Sequence, residues 1–341
     1  MTRRGLLAVA VASTAVAATK KIRVAMIGTG HGHAHSKILA LQSMPEYDFV
    51  GVCRPDPQDP AIGPAFEKTR RLSEAEALDS SIELIACEFA DAEANLTFAQ
   101  QAIDRGKFVH LDKPPGASLP GLRKLLEDAR TRNRIVQMGF QWRYHPAMQA
   151  AFEAAKTGRL GRIHRFRASI DKPILADERK HLAKYKGGMM FSEGCHLIDR
   201  ATALLGKPLK VTGIIRHHSP SPDGLADNNL VILEYRNAFA EISLAGFDPN
   251  GNAHRYIEII GSNGSAKVQP FTGSHLTLEI KGEPPQTLHP PEPPGRAYTP
   301  DFAEMAVIIR DGAKPSYTAE HDLMTHDVLL EACGMLQGDN R

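Results

Sequence analysis

The stretch Lys21-Ile22-Arg23-Val24-Ala25-Met26-Ile27-Gly28-Thr29-Gly30-His31-Gly32-His33 decides how this chain folds. Lys21–Ile27 is a short apolar run rich in branched residues, the pattern of a parallel strand buried on both faces. Gly28-Thr29-Gly30 follows at once, and a helical pattern runs from Ala34 to Ser43. Strand, glycine turn and helix form the context of a dinucleotide phosphate-binding turn. The first glycine permits the tight turn, and the second lets the backbone approach a pyrophosphate at the positive end of the helix. The third glycine position holds His33. Gly28, Thr29, Gly30, His31 and Gly32 are the first candidate cofactor contacts.

Working outward, Tyr47–Cys53 reads as the second strand, and Arg54 closes it. An acidic residue there would hold a ribose hydroxyl, whereas arginine accommodates a 2′-phosphate, so Arg54 favours NADP over NAD. Asp56, two residues on, could supply the acid instead. The alternation continues with a helix over Glu74–Ala77, a strand over Ile82–Cys87 and a helix over Glu93–Arg105. A strand over Lys107–Leu111, a helix over Leu119–Arg132 and a strand over Ile135–Phe140 follow. This predicts a doubly wound parallel sheet of the α/β Rossmann class over residues 20–141. Lys107–Leu111 runs directly into Asp112-Lys113-Pro114, which sets Lys113 at the carboxyl end of a strand, where such sheets bind ligands.

Beyond Ala147–Lys156, a further helix, the pattern changes to strands: Arg162–Ile170, Leu209–Arg216, Leu230–Tyr235, Ala238–Ala245, Arg255–Gly261, Ala266–Gln269 and Leu276–Ile280. Such a run predicts an α+β domain with a largely antiparallel sheet over residues 142–341, one face free to cover a cofactor or a neighbouring subunit. Helices over Asp301–Arg310 and Ala319–Met335 close the chain. The proline-rich Gly282–Pro300 reads as a long irregular loop, an arm toward a second subunit.

Three segments in combination resemble the glucose–fructose oxidoreductase, inositol dehydrogenase and rhizopine-catabolism (Gfo/Idh/MocA) family. They are Gly28-x-Gly30, Asp112-Lys113-Pro114 and Gln141-Trp142-Arg143-Tyr144-His145-Pro146. A fourth, Gly187-Gly188 followed by Ser192-Glu193-Gly194-Cys195-His196-Leu197-Ile198-Asp199, resembles the family's second signature. The resemblance implies Lys113 and His196 as catalytic groups; Asp199, one helical turn beyond His196, either helps to orient the imidazole or fixes the helix in the core. It also implies cofactor contacts from Asp112, Lys113 and Arg143, and substrate contacts from Ser192, Lys172 and Tyr185; Glu88 stands where relatives carry a proline-rich turn, and it either contacts the nucleotide or faces solvent. Asp112 replaces the family's usual glutamate. Ser192 replaces an aspartate four residues before the histidine, so it offers a hydrogen bond without charge. Glu193, adjacent to it, is expected to point elsewhere on a regular helix.

The 341 residues suit two domains at about 100–200 residues each. With 41 basic and 39 acidic side chains, there is no basic surplus of the kind that nucleic-acid binding requires. Residues 1–18, MTRRGLLAVAVASTAVAA, carry a basic start and an uncharged apolar run too short to span a bilayer comfortably. Thr2-Arg3-Arg4-Gly5-Leu6-Leu7 resembles a twin-arginine export signal. The expectation is therefore a periplasmic protein with no membrane contact after signal removal. Cys53, Cys87, Cys195 and Cys333 form no C-x-x-C pair and read as small buried side chains. His31, His33 and His35 alternate on a turn entering a helix, without an evident carboxylate partner, so no metal is assigned.

The function expected is hydride transfer between NADP or NAD and a hydroxyl of a carbohydrate or cyclic polyol. His196 would serve as base, and Lys113 would stabilise charge on the same oxygen. Export favours a tightly held nucleotide that cycles in place. A redox-neutral glycosidase acting by transient oxidation and elimination is the alternative, and a non-catalytic sugar- or nucleotide-sensing module is a third reading. The resemblance implies a homodimer or homotetramer.

Overall fold

The computed structural model describes residues 20–60, 63–269, 275–291 and 298–336. The expected export segment, residues 1–18, lies outside them, as do residues 292–297 of the expected proline-rich arm.

The first half alternates as its periodicity predicts. In chain order it contains β1 (Ile22–Ile27), α1 (Ala34–Ser43), β2 (Tyr47–Cys53), β3 (Arg71–Leu72), α2 (Glu74–Ala77) and β4 (Leu84–Cys87). Then come α3 (Ala92–Asp104), β5 (Phe108–Leu111), α4 (Leu119–Thr131) and β6 (Val136–Met138). All six strands are parallel, in the order β3-β2-β1-β4-β5-β6. Every residue of β4 is buried, as expected of a sheet covered on both faces. The strand order reverses beside β1, between β1 and β4, and the carboxyl ends of β1, β4 and β5 therefore flank one crevice. Asp91 and Ser118 cap α3 and α4 by accepting hydrogen bonds from Glu93 N and Gly121 N.

The second half contains α5 (Pro146–Lys156), β7 (Ile163–Asp171), α6 (Ala176–Leu182), α7 (Cys195–Leu205), β8 (Lys210–Arg216), β9 (Asn228–Tyr235) and β10 (Ala238–Ala245). It continues with β11 (Tyr256–Gly261), β12 (Gly264–Val268), β13 (Leu276–Ile280), β14 (Gln286–Leu288), α8 (Thr299–Asp311) and α9 (Ala319–Ala332). Its eight-stranded sheet runs β14-β13-β12-β11-β7-β10-β9-β8 and is antiparallel except where β7 meets β10. Along β10, Ala238, Ala240, Ile242 and Leu244 are buried while Phe239 is half exposed, so one face is covered and the other open. The open face carries Arg167, which pairs with Glu241 at 3.7 Å and Glu258 at 3.5 Å. Such exposed pairs contribute at most about 1 kcal/mol each.

Three elements depart from the sequence expectation. β3 and β14 are too short to carry a period, and β14 falls inside the segment read as irregular. The third, α6, is a seven-residue helix in which only Arg179 and Leu182 are buried. Near the C-terminus, α8 returns to the first sheet, where Phe302 and Met305 pack with Ile22, Val24 and Leu41. Tyr47 seals that contact by donating a hydrogen bond of 2.6 Å to the Phe302 carbonyl. The four cysteines are buried and unbridged. No helix of the described residues is long and apolar enough to cross a membrane.

Candidate active site

The crevice at the β-strand carboxyl ends opens into a cavity of about 730 Å³. Gly30, His33, Lys113, Lys172, Tyr185 and Glu193 are among its lining residues. Phe89, Leu175, Leu182 and Phe191 add apolar walls.

The glycine turn forms one end. Gly28 has φ +81°, and a Cβ there would lie 2.7 Å from Phe89 atoms, so both the conformation and the space require glycine. The backbone N–H groups of Thr29 and Gly30 donate to Asp59 Oδ2 at 2.6 and 2.9 Å, and Ala90 N donates to Oδ1 at 3.1 Å. The turn thus already holds an oxyanion, which is the chemistry a nucleotide pyrophosphate needs from it. Arg54, expected beside a 2′-phosphate, donates instead to the carbonyl oxygens of Pro57, at 3.1 Å, and of Asp59. Gly32 also lines the cavity.

Behind the turn lies a buried ionic cluster that sequence reading missed. Lys37 of α1 reaches Glu88 Oε1 at 2.6 Å and Asp112 Oδ2 at 2.7 Å. Burial alone would lower the Lys37 pKa, but Asp112 and Glu88 raise it overall. Burial would raise Asp112, yet His31, Lys37 and His33 hold its carboxyl well below the usual range. Burial, reinforced by Asp112, pushes Glu88 well above its ordinary value. Glu88 is sealed away from solvent and is absent from the cavity lining, so the structure does not bring its side chain to a nucleotide. The only sequence signal for Lys37 was a lysine on an otherwise apolar helix face.

The histidines also find a partner that the sequence did not show. His31 Nδ1 and His33 Nδ1 lie 2.9 and 3.1 Å from Asp112 Oδ2. His31, His33 and Asp112 therefore converge, correcting the expectation that no carboxylate accompanies them. Lys37 contacts the same carboxylate oxygen, which sets a fixed positive charge where a metal would compete for the oxygen lone pairs. His35 turns away and accepts a hydrogen bond from Ala65 N at 3.2 Å.

Lys113 and the His196 segment meet across the two sheets. Lys113 Nζ donates to the carbonyl oxygen of Ser192 at 3.0 Å, one turn before His196. The His196 ring stacks on Trp142, with centroids 4.9 Å apart and planes inclined by 19°. It is only 2% exposed, and the cavity lining passes through Ser192, Glu193 and His33 in front of it. Burial, with the Lys113 charge, pushes the His196 pKa well below its ordinary value, leaving a neutral imidazole. Its Nδ1 has no hydrogen-bond partner among the described residues.

One expectation about this segment is corrected and one alternative is narrowed. Met190–Gly194 forms a π-helical turn, whose extra residue per turn changes the direction of Glu193. Glu193 consequently lines the cavity and pairs with Lys172 at 2.7 Å, which also pairs with Glu178 at 2.6 Å. Burial would raise the Glu193 pKa, but Lys172 and Lys113 hold it well below the carboxylate range. Of the two roles open to Asp199, its contacts support fixing the helix rather than orienting His196. The Asp199 carboxylate accepts from Arg143 at 2.7 Å, Arg200 at 2.6 Å and His321 Nε2 at 3.1 Å. Arg143 also contacts Asp322 and stays within this buried cluster, away from the cleft that a cofactor would enter. Tyr185 does line the cleft, and its hydroxyl donates to Asp91 Oδ1 and accepts from Ala92 N, each at 3.0 Å.

Comparison with known proteins places the two halves of the fold. Residues 22–140 match the model of an oxidoreductase family with an NAD-binding Rossmann fold, and residues 148–267 match the GFO/IDH/MocA C-terminal domain. The chain belongs to the GFO/IDH/MocA family. Its first sheet is thus that of an NAD-binding Rossmann domain.

Among curated relatives, trans-1,2-dihydrobenzene-1,2-diol dehydrogenase of Bos taurus is 24% identical over 63% of this chain and 61% of its own. A dTDP-3,4-didehydro-2,6-dideoxy-alpha-D-glucose 3-reductase of Streptomyces violaceoruber is 28% identical over 67% of this chain and 59% of its own. The scyllo-inositol 2-dehydrogenase (NAD(+)) of Bacillus subtilis is 26% identical over 64% and 65%. The matches span about three fifths of the length of these relatives. Two solved structures share the fold. An oxidoreductase from Agrobacterium radiobacter, in complex with NAD+, L-tartaric acid and magnesium, superposes with a TM-score of 0.78 at 16% identity over 92% of this chain and 97% of that one. KijD10, a 3-ketoreductase from Actinomadura kijaniata in complex with NADP and TDP-benzene, gives 0.76 at 18% identity over 91% and 96%.

Proposed function

We propose that this chain is an NAD(P)-dependent oxidoreductase that exchanges hydride with a hydroxyl-bearing carbon of a carbohydrate or cyclic polyol. The observation that carries the reading is the meeting of Lys113 with the Ser192–His196 turn at the inner wall of the cleft. Lysine and neutral histidine are the pair needed to activate a hydroxyl: one stabilises developing negative charge, and the other accepts the proton.

Thr29 and Gly30 would hold the pyrophosphate of the dinucleotide at the start of α1. The bound nicotinamide supplies hydride acceptance or donation, and the protein supplies position and electrostatics. Lys113 Nζ is held 3.0 Å from the Ser192 carbonyl, with donors left for a substrate oxygen. His196, 2% exposed behind Ser192 and Glu193, takes the hydroxyl proton once that wall shifts to bring the substrate oxygen to its ring. Asp199 acts on this chemistry only through the helix that it anchors, because its carboxylate is committed to Arg143, Arg200 and His321. Lys172, Glu193 and Ser192 offer donors and acceptors at the edge of a sugar ring, while Phe191 and Leu175 offer it apolar surface.

Arg54 supports a preference for NADP only if its loop opens, since its guanidinium is now engaged by its own loop. The open face of the second sheet is where we place contact with another copy of the chain. Export through residues 1–18 is likewise proposed, on the basic and apolar pattern of that segment.

The test is turnover of the full chain with NAD+ or NADP+ against a panel of aldoses, glycosides and cyclic polyols, followed by nicotinamide absorbance. Reduction with at least one member, lost in Lys113→Ala, supports the reading. No reduction by any member, with nucleotide demonstrably bound, contradicts simple dehydrogenation.

A further inference from the structure

The glycine turn presents its N–H groups to a side chain of its own domain. Asp59 lies on the loop that follows β2, is 6% exposed, and receives three backbone N–H groups. Two of those, from Thr29 and Gly30, belong to the phosphate-binding turn. A Cβ on Gly30 would lie 2.1 Å from Asp59 Oδ1, so the carboxylate fills the space that the missing side chain leaves. That space is what allows a pyrophosphate to approach the backbone.

The loop is fastened in this position. Thr29 Oγ1 donates to the Pro60 carbonyl at 3.0 Å, Asp59 N donates to the Asp56 carbonyl at 3.1 Å, and Arg54 donates to the carbonyls of Pro57 and Asp59. The residue expected to greet the adenosine end of the cofactor therefore helps to hold the carboxylate on the turn. Two anions cannot share the same N–H donors: they repel, and the donors are too few.

We propose that Asp59 is an intramolecular stand-in for the dinucleotide pyrophosphate, and that cofactor binding requires the loop over residues 54–60 to release the turn. This rests on the assignment of the domain as nucleotide-binding. The apparent affinity for NAD(P) is then reduced by the fraction of molecules in which Asp59 holds the turn. Removing the carboxylate raises the affinity. The gain is confined to ligands that carry the pyrophosphate, because adenosine alone does not compete for these N–H groups.

The test is calorimetric titration of nucleotide-free full chain with NADH, NADPH and adenosine, comparing wild type, Asp59→Ala and Asp59→Asn. Asp59→Ala is expected to bind both dinucleotides about ten-fold more tightly or better, with adenosine affinity unchanged. Asp59→Asn keeps the shape and loses the charge, so it is expected to shift in the same direction by less, and it serves if the alanine variant does not fold. Dinucleotide affinity that is unchanged or weaker in the folded variants overturns the proposal while leaving the cofactor assignment intact. Failure of all three proteins to bind either dinucleotide overturns the assignment and the proposal together.

Discussion

The rings of His33 and His196 lie 6.3 Å apart, one on the cleft wall and the other directly behind it. His33 is tied to Asp112, and burial pushes its pKa down to about 3 even against that carboxylate. His196 has a free Nδ1 among the described residues and a stacked face on Trp142. We assign the proton transfer to His196 because its segment is the one that meets Lys113. His196→Asn and Lys113→Ala are each expected to lower kcat by about a hundred-fold or more, with nucleotide affinity retained. His33→Asn is expected to cost less. A His33 variant as inactive as His196→Asn, with His196→Asn near wild type, would reassign the base.

Lys37 contacts two buried carboxyl groups at once, so its loss strands a buried charge and a buried hydrogen-bond acceptor. Lys37→Met is expected to destabilise the fold by about 3–5 kcal/mol. The two carboxyls are not equivalent. Glu88 is pushed well above its ordinary pKa, whereas Asp112 is held well below, so Asp112 is the charged partner. Denaturant unfolding should therefore find Glu88→Gln much milder than Asp112→Asn. Equal costs would show that the charge is shared between them.

Stability should fall on mild acidification. Burial lowers His33 to about 3 and His326 to about 4 from the usual 6.5, and the nitrogens of His326 have no hydrogen-bond partner among the described residues. Between the unfolded value near 6.5 and those folded values, the unfolded chain binds the extra protons. Each such histidine then removes about 1.4 kcal/mol of stability per pH unit as the pH falls. The contribution is complete above pH 6.5 and is lost progressively toward about pH 4. Urea unfolding at neutral pH and at about pH 5 measures the slope. A folded His326→Leu variant should flatten it.

Cell fractionation tests the export proposal. The full chain expressed in a bacterium with a twin-arginine system is expected in the periplasm, shortened near residue 18. Arg3→Lys with Arg4→Lys is expected to hold it in the cytoplasm. Export of the double variant at the normal level would point to a different route.

Local pattern carried much of this fold. The ranges of α1, β2, α2, β10 and β13 coincide with those read from sequence; α2 is a single turn fixed by the Ser73–Glu76 capping box, and the others are bounded apolar patterns. Lys113 and His196 were legible through motifs, since both stand in short, recognisable surroundings. What was illegible depends on distance. Nothing near Asp59 in sequence shows that it will fold back thirty residues onto Thr29. The π-helical turn that swings Glu193 into the cleft has no periodic signature, and a regular helix is the default expectation. Asp199 illustrates a second limit. Its spacing from His196 permits a shared face, but Arg143 from another segment captures the carboxylate first.

The most direct test of the central claim follows the hydride itself. Full-length protein with NAD+ or NADP+ would be incubated with carbon-deuterated aldoses, glycosides and cyclic polyols, and the nicotinamide then analysed by mass spectrometry. Deuterium on the nicotinamide in wild type, absent in Lys113→Ala and His196→Asn, is the predicted result. Because a deuteride that returns to carbon leaves the nicotinamide unlabelled again, the samples are quenched during the first turnover, before that return. An unlabelled nicotinamide across the whole panel, in protein shown to hold both nucleotide and sugar, would contradict the account.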